Sequence, residues 1–558
     1  MNKSALKKFA TSICNELKRS ISTKLDYLLG LGSNLPIELK DEEQNIEIIR
    51  KRCTTDGKLD DQKRDELIEE VAYTWFNRLI ALRFMDANGI TESGVVSPIK
   101  GQTLPEIFNL AKGGDISDKL NLDRDKFYDL CDGKIPSNNP DNEAYRMLFI
   151  SVCNYYSEIM PFMFETIKDY TELLLPDDML SSNSIRAKVV EALDDESLKD
   201  VEIVGWLYQF YISEKKDEVF NKLKKNVKIT PQNIPAATQL FTPHWIVKYM
   251  VENSLGRLWM LNNPDSKLKD HMRYYIEQKS EDQEFIKIES VEELTLFDPC
   301  CGSGHILTYA FDLLAKIYEE QGYNKSEIPK LILQNNLFGC DIDKRAATLA
   351  TFALTMKARL YHRRFFRKNV KPNAIELQEF NSQTFKGIKN FGSLLTPKDD
   401  EEFKSGMFAQ NSSEYELQKK ILTNSYHCVV TNPPYMGAKG MNKELSDFVK
   451  KRYPDSKSDL FAVFMEKGLE FTKDCGYMAM ITMQSWMFLS SFEKLRVKIL
   501  KNYTIKTLAH LGNMVMGIAF GTSAFILQKI KPNKNSSAIY FKIELKDLDE
   551  NREIKCLK

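Results

Sequence analysis

No charge of one sign prevails in this sequence: 78 lysines and arginines stand against 78 aspartates and glutamates in 558 residues. A chain without a net field draws in no polyanion at long range, so any contact with nucleic acid must rest on local patches. Long apolar runs are also missing. No segment approaches the roughly 18 uninterrupted apolar residues of a membrane span, and 43% hydrophobic with 28% charged residues describes a soluble globular protein with no membrane partner. Residues 1–20 lack the continuous apolar stretch and small-residue cleavage site of a secretory signal and read as an ordinary first helix, so the expected location is cytoplasmic. The ten cysteines contain no CxxC pair, and none has a histidine partner at zinc spacing. Reduced thiols and no metal are therefore expected.

What is present divides into two regimes, as suits a length that exceeds one ordinary domain. The first reads as helical. Between residues 65 and 88, Leu67, Val71, Trp75 and Leu79 form one row, and Ile68, Ala72, Phe76 and Ile80 form a parallel one, before Asn88-Gly89 ends the pattern. Two adjacent rows at four-residue spacing predict a helix with a broad apolar stripe, packed in a bundle. From Ile288 onward, short apolar runs such as Leu294-Thr295-Leu296-Phe297 and Asn336-Leu337-Phe338-Gly339-Cys340 alternate with helical patterns beginning near His305 and Arg345. Such alternation predicts an α/β domain, a mostly parallel sheet with helices on both faces. The expected domains are 1–220, helical; 221–535, α/β; and 536–558, a tail or the stub of a further region.

Two motifs in the second regime carry chemistry. Asp298-Pro299-Cys300-Cys301-Gly302-Ser303-Gly304 follows an apolar strand, and a glycine-rich turn there lets a ligand approach the backbone closely. The Asp298 carboxylate suits a cationic amino group, and the N–H groups of the helix that follows suit a carboxylate. A zwitterionic amino-acid moiety fits that pair better than a pyrophosphate does. The next strand ends in Gly339-Cys340-Asp341-Ile342-Asp343, where Asp341 can accept from both ribose hydroxyls, Ile342 can pack on an adenine ring and Asp343 is a helix cap. Well downstream, Asn432-Pro433-Pro434-Tyr435 follows the apolar run Cys428-Val429-Val430. The Asn432 side-chain oxygen and the Pro433 carbonyl can accept N–H bonds from an amine whose lone pair is delocalised into a base. Tyr435 can stack on that base, and Pro433 and Pro434 keep the acceptors fixed. No metal is needed for methyl transfer to such an amine.

In this order, Phe241-Thr242-Pro243, residues 298–304, Asp341 and Asn432 to Tyr435 resemble the motifs of the gamma class of S-adenosylmethionine-dependent amino-methyltransferases acting on DNA adenine. The likeness spans residues 236–530. Residues 203–216 and 236–259 look like the PglX family, the adenine methyltransferases of BREX phage-exclusion systems. The resemblance implies a Rossmann-like S-adenosylmethionine-dependent methyltransferase domain preceded by an all-α N-terminal domain. It implies that Thr242, with Pro243, closes over the methionine moiety of the cofactor. Asp298, Pro299, Gly302 and Gly304 would bind that moiety, and Asp341 and Ile342 the nucleoside. Asn432, Pro433 and Pro434 would receive the adenine amine, with the base between Tyr435 and Phe520.

Where the family often has an acidic residue against the cofactor adenine, this chain reads Phe391-Gly392-Ser393-Leu394. The expected partners are double-stranded DNA and other phage-defence proteins or a separate target-recognition subunit, since PglX proteins carry a C-terminal region expected to choose the target. A polar loop, 436–457, rich in lysine with Arg452 and Tyr453, is expected to reach into DNA as the base leaves the helix. Two other readings stay open: a cofactor- and DNA-binding subunit of a defence complex that is inactive without a partner, and a protein glutamine or RNA methyltransferase. The basic and aromatic strip 359–368 reads as the solvated end of a helix.

Overall fold

Residues 61–87 form one unbroken helix, at the place where the two apolar rows run through the sequence. The structure, a computed structural model, describes residues 3–31, 35–165, 170–277, 284–380, 382–397, 412–534, 536–549 and 553–554. Residues 1–2 of the expected first helix, residue 535, and residues 550–552 and 555–558 of the expected tail lie outside the described residues. The chain divides into two units, Met1–Tyr211 and Ile212–Lys558.

The first unit is helical; its sheet, among the described residues, is one ladder of Thr54–Thr55 with Lys58–Leu59. Its frame is α1 (Lys3–Gly30), α2 (Asp61–Ala87), α3 (Pro140–Ile159) and α4 (Glu202–Tyr211). Asp60 caps α2 by accepting from the N–H groups of Gln62 and Lys63. Instead of one broad stripe, α2 is buried without a break from Trp75 to Met85. Arg83, inside that run, donates to the Leu193 carbonyl and to Asp195, which satisfies a charge the apolar pattern could not foretell.

The second unit holds an eight-stranded sheet: β1 (Leu296–Asp298), β2 (Leu337–Asp341), β3 (Asn373–Glu376), β4 (Tyr426–Thr431), β5 (Thr472–Met483), β6 (Thr504–Leu511), β7 (Thr522–Gln528) and β8 (Ile539–Ile543). Their order is β8-β6-β7-β5-β4-β1-β2-β3, and β7 alone runs against its neighbours. This Rossmann-like sheet is mostly parallel, as the alternation of apolar runs and helical patterns predicted. Alternate residues feed two cores. Cys428, Val430, Ala479 and Ile481 pack on one face, and Val429, Tyr426, Met478 and Met480 on the other.

The helices that cover these faces include α5 (His244–Val251), α6 (His305–Glu320), α7 (Lys344–Tyr361), α8 (Lys443–Arg452), α9 (Leu460–Phe471) and α10 (Glu493–Asn502). After β3 the chain returns past β2 and β1 to build β4 on the far side of β1. The gap between β1 and β4, where connections leave in opposite directions, is where such sheets bind ligands. None of the described helices is long and apolar enough to cross a membrane.

The two glycines of the β1 turn are not equivalent. Both have positive φ, +52° at Gly302 and +84° at Gly304, but a Cβ at Gly302 meets no atom within 4 Å, whereas one at Gly304 lies 2.9 Å from Ala350 Cα of α7. Backbone cannot yield as a side chain can, so Gly304→Ala should destabilise by roughly 2–4 kcal/mol and Gly302→Ala by about 1–2 kcal/mol. Thermal unfolding followed by circular dichroism checks this: the Gly304→Ala midpoint should fall further, and equal shifts would contradict the packing account.

Candidate functional site

Three strand ends meet at the switch point. Asp298 closes β1, is 1% exposed, and accepts from the Cys300 N–H at 3.1 Å. Burial pushes its carboxyl up to about 7, and the nearby charge of Asp341 adds to the effect. Asp341 closes β2 and accepts from the N–H groups of Gly302 at 3.0 Å and Asp343 at 2.9 Å. Burial, with the charge of Asp343, pushes Asp341 up to about 6. The Cys301 N–H donates to the Cys340 carbonyl at 3.1 Å, so turn and strand end are stitched at two points. Asp343 caps α7 through the Arg345 N–H, as its position suggested.

A cleft of about 760 Å³, open to solvent, runs along these ends. Of the residues singled out in the sequence, Pro299, Gly302, Asp341, Ile342, Asn432 and Pro434 line it. Thr242, Pro243, Asp298, Gly304, Pro433, Tyr435 and Phe520 do not. Gly304 is the close-packing point described above, and Pro243 stands at the N-cap of α5. The wall also holds residues not singled out as ligands: Gln239 and Leu240, Asn390, and the run Phe391-Gly392-Ser393-Leu394 where an acidic residue was sought. The Ser393 hydroxyl donates to the Pro299 carbonyl at 2.7 Å, and the Asn390 amide donates to Glu444 at 3.0 Å. A glycine between apolar residues after a short strand was the available signal for this wall.

Asn432 follows β4. Its Nδ2 donates to the Leu240 carbonyl at 3.0 Å and to Thr242 Oγ1 at 3.1 Å. Its Oδ1 is buried and has no hydrogen-bond partner among the described residues. Pro433 is buried. The Tyr435 hydroxyl donates to the Ile481 carbonyl at 3.0 Å, and its ring meets Phe461 edge-on at 6.1 Å. Burial pushes the phenol well above its usual range, so it stays a donor. Phe520, 39% exposed, lies 6.4 Å from the Tyr435 ring at 53°. Beyond the tetrapeptide, Asp459 accepts from the Met436 and Phe461 N–H groups and fixes the chain's exit.

The segment 436–457 is less of a loop than expected, because Leu445 and Val449 bury one side of it as α8. Tyr453 is 2% exposed and packs near Phe448, so it faces the core rather than solvent. Lys450, Lys451 and Arg452 form the exposed end of α8. The strip 359–368 is the end of α7 and a short turn: Phe365 is buried, Lys368 pairs with Glu327, and the Tyr361 hydroxyl donates to Glu319.

Residues 335–515 match the family model described as Eco57I restriction-modification methylase. The chain is 36% identical to the adenine-specific methyltransferase BrxX of Escherichia coli O9:H4 (strain HS), over 100% of this chain and 52% of that protein. It is 36% identical to the adenine-specific methyltransferase PglX of Lacticaseibacillus casei (strain Zhang), over 95% of this chain and 51% of that one. It is 26% identical to the type II restriction enzyme and methyltransferase RM.Eco57I of Escherichia coli, over 62% and 32%. The chain thus spans about half the length of the first two relatives.

The buried Asp298 has a consequence that needs no ligand. At low pH its carboxyl is protonated in the folded and the unfolded chain alike and costs nothing. Between 3.8 and about 7 the unfolded chain is ionised while the folded state still holds the proton, so stability falls as pH rises across that interval and levels off above it. Asparagine keeps an acceptor for the Cys300 N–H and has no charge. The melting temperature of Asp298→Asn relative to wild type should therefore rise between about pH 4 and about pH 7 and level off above that. A difference that does not change with pH would show that the carboxylate is not desolvated.

Proposed function

The chain is a homologue of the adenine-specific methyltransferases BrxX and PglX, and we propose that it transfers a methyl group from S-adenosylmethionine to the N6 amine of an adenine flipped out of double-stranded DNA. The observation that carries this reading is Asn432 Oδ1, a buried acceptor without a donor in the residue just before Pro433, whose carbonyl would be the second acceptor. A buried acceptor left unpaired costs on the order of 1–3 kcal/mol, which an amine entering the site removes. An amine with two hydrogens can meet both acceptors.

The donor side supports the same reading. Two carboxylates with raised pKa values, Asp298 and Asp341, suit a cationic ligand bearing a ribose, because such a ligand favours their ionised forms. Asp298 and the N–H groups at the start of α6 would hold the amino-acid end. Asp341 would hold the ribose hydroxyls, and Ile342 with the wall at Ser393 and Leu394 the adenine. Bound there, S-adenosylmethionine supplies an electrophilic methyl group.

The chain's own residues then act on the target amine. Adenine's lone pair is delocalised into its ring, and acceptors that bond its N–H groups out of the ring plane localise that pair on nitrogen and steady the charge that develops. Tyr435, tethered through its hydroxyl, gives the base a fixed face. A duplex hides the amine, so the base must leave the stack, and Lys450, Lys451 and Arg452, exposed at the end of α8, would contact phosphate. Phosphate contacts position without specifying, so target choice calls for a recognition region or a separate phage-defence subunit.

Transfer of labelled methyl groups to unmethylated DNA, by the chain alone and with candidate partners, followed by digestion to nucleosides, should yield N6-methyladenine. Asn432→Ala should lower the rate by about 10²–10³-fold and leave cofactor binding by calorimetry unchanged. Label on cytosine, RNA or protein glutamine would contradict the reading, as would an Asn432→Ala variant of full activity.

A further inference from the structure

A side-chain amide has an accepting end and a donating end, and which one faces the cleft decides what Asn432 can do. At Asn432 the choice is made by residues far away in sequence. The Leu240 carbonyl, which can only accept, lies 3.0 Å from Nδ2, and Thr242 Oγ1 lies 3.1 Å from the same nitrogen. Turning the amide over would set oxygen against the Leu240 carbonyl and leave a buried NH2 without acceptors. Thr242 is itself only 5% exposed.

The segment 238–242 does a second thing. Thr238, Gln239 and Leu240 form part of the cleft wall, and Lys216 holds the Gln239 carbonyl at 2.6 Å. Wall and amide are thus one hydrogen-bonded unit. We propose that Thr242 is a positioning residue: with the Leu240 carbonyl it turns Asn432 Oδ1 toward the incoming amine, so that the segment that forms the cleft wall also sets the amine acceptor. This rests on the methyl-transfer reading and gives Thr242 a role different from contact with the methionine moiety.

Thr242→Val keeps the shape and removes the acceptor. Losing one of two bonds that orient a buried amide should lower kcat about 5- to 20-fold, with KM for S-adenosylmethionine unchanged. Thr242→Ser, which keeps the hydroxyl, should restore most of the rate. The double variant Thr242→Val, Asn432→Ala should be no slower than Asn432→Ala alone, since Thr242 acts through Asn432. A raised KM for S-adenosylmethionine with kcat intact, a serine variant as slow as the valine one, or losses that multiply would each overturn the proposal.

If the wild-type chain transfers nothing even with candidate partners, the functional reading fails. The positioning role is then decided by crystal structures of wild type and Thr242→Val: a turned or disordered Asn432 amide in the variant supports it, and an unmoved amide overturns it.

Discussion

Parallel pairing of β1 with β2 on one side and β4 on the other is the constraint on which the site depends. Phe297 stands opposite both Phe338 and Val429, so the three strands reach their carboxyl ends at nearly one level. Asp298, Asp341 and Asn432 are neighbours because of that register. A slip of one residue in any of the three would exchange its two faces and send core side chains into the cleft. The strands resist slipping because both faces are packed, with Phe297 and Leu296 buried in opposite cores. Helices on both sides hold the chemistry in place by leaving the strands no other register.

The burial that fixes the register also explains the electrostatics. Strand ends buried in this way offer little water, so carboxylates there are raised toward neutrality and an amide oxygen is left without a donor. For a fold alone these would be defects, each costing stability. They cluster at one place, and each is of the kind that one class of ligand relieves: carboxylates by a cation and hydroxyls, the amide oxygen by an amine. The backbone bonds to Asp298 and Asp341 offset part of the cost without satisfying all the lone pairs. The free site is thus less stable than it could be, in the direction that favours occupation.

Much of this was legible in the sequence, and the reasons differ by residue. The rows of α2 and the apolar runs of β1, β2 and β4 declare themselves because burial selects residue type at a fixed period. β3 and β6 do not. β3 is four residues at a sheet edge with asparagine and glutamate at its ends, and β6 carries Lys506, itself buried, and His510. Asn432 stood out by its motif, but its orientation did not, because it is set by Leu240 and Thr242 across 190 residues of chain. Gly302 and Gly304 look alike in sequence; only the neighbouring α7 separates the one that faces open space from the one that packs. Period and composition report what a residue is selected for, whereas orientation depends on partners that the fold supplies.

The two rings near the tetrapeptide show how rigidity is shared out. Tyr435 is held at both ends, its hydroxyl on the Ile481 carbonyl and its ring against Phe461, whereas Phe520 is partly in solvent and meets it at a tilt. On the methyl-transfer reading, a flat base entering between them would have to open the gap, and the less constrained ring would move. The hydrogen bonds that Asn432 Oδ1 and the Pro433 carbonyl would accept from the base are directional and would lose their effect with small displacements, so these acceptors belong on the fixed side with Tyr435. Stacking tolerates offset and tilt, so a mobile ring loses little by adapting. Rigidity is concentrated where the interaction is steep in distance and angle, and freedom is left where it is shallow, which lets a site with preset acceptors still admit a base from outside.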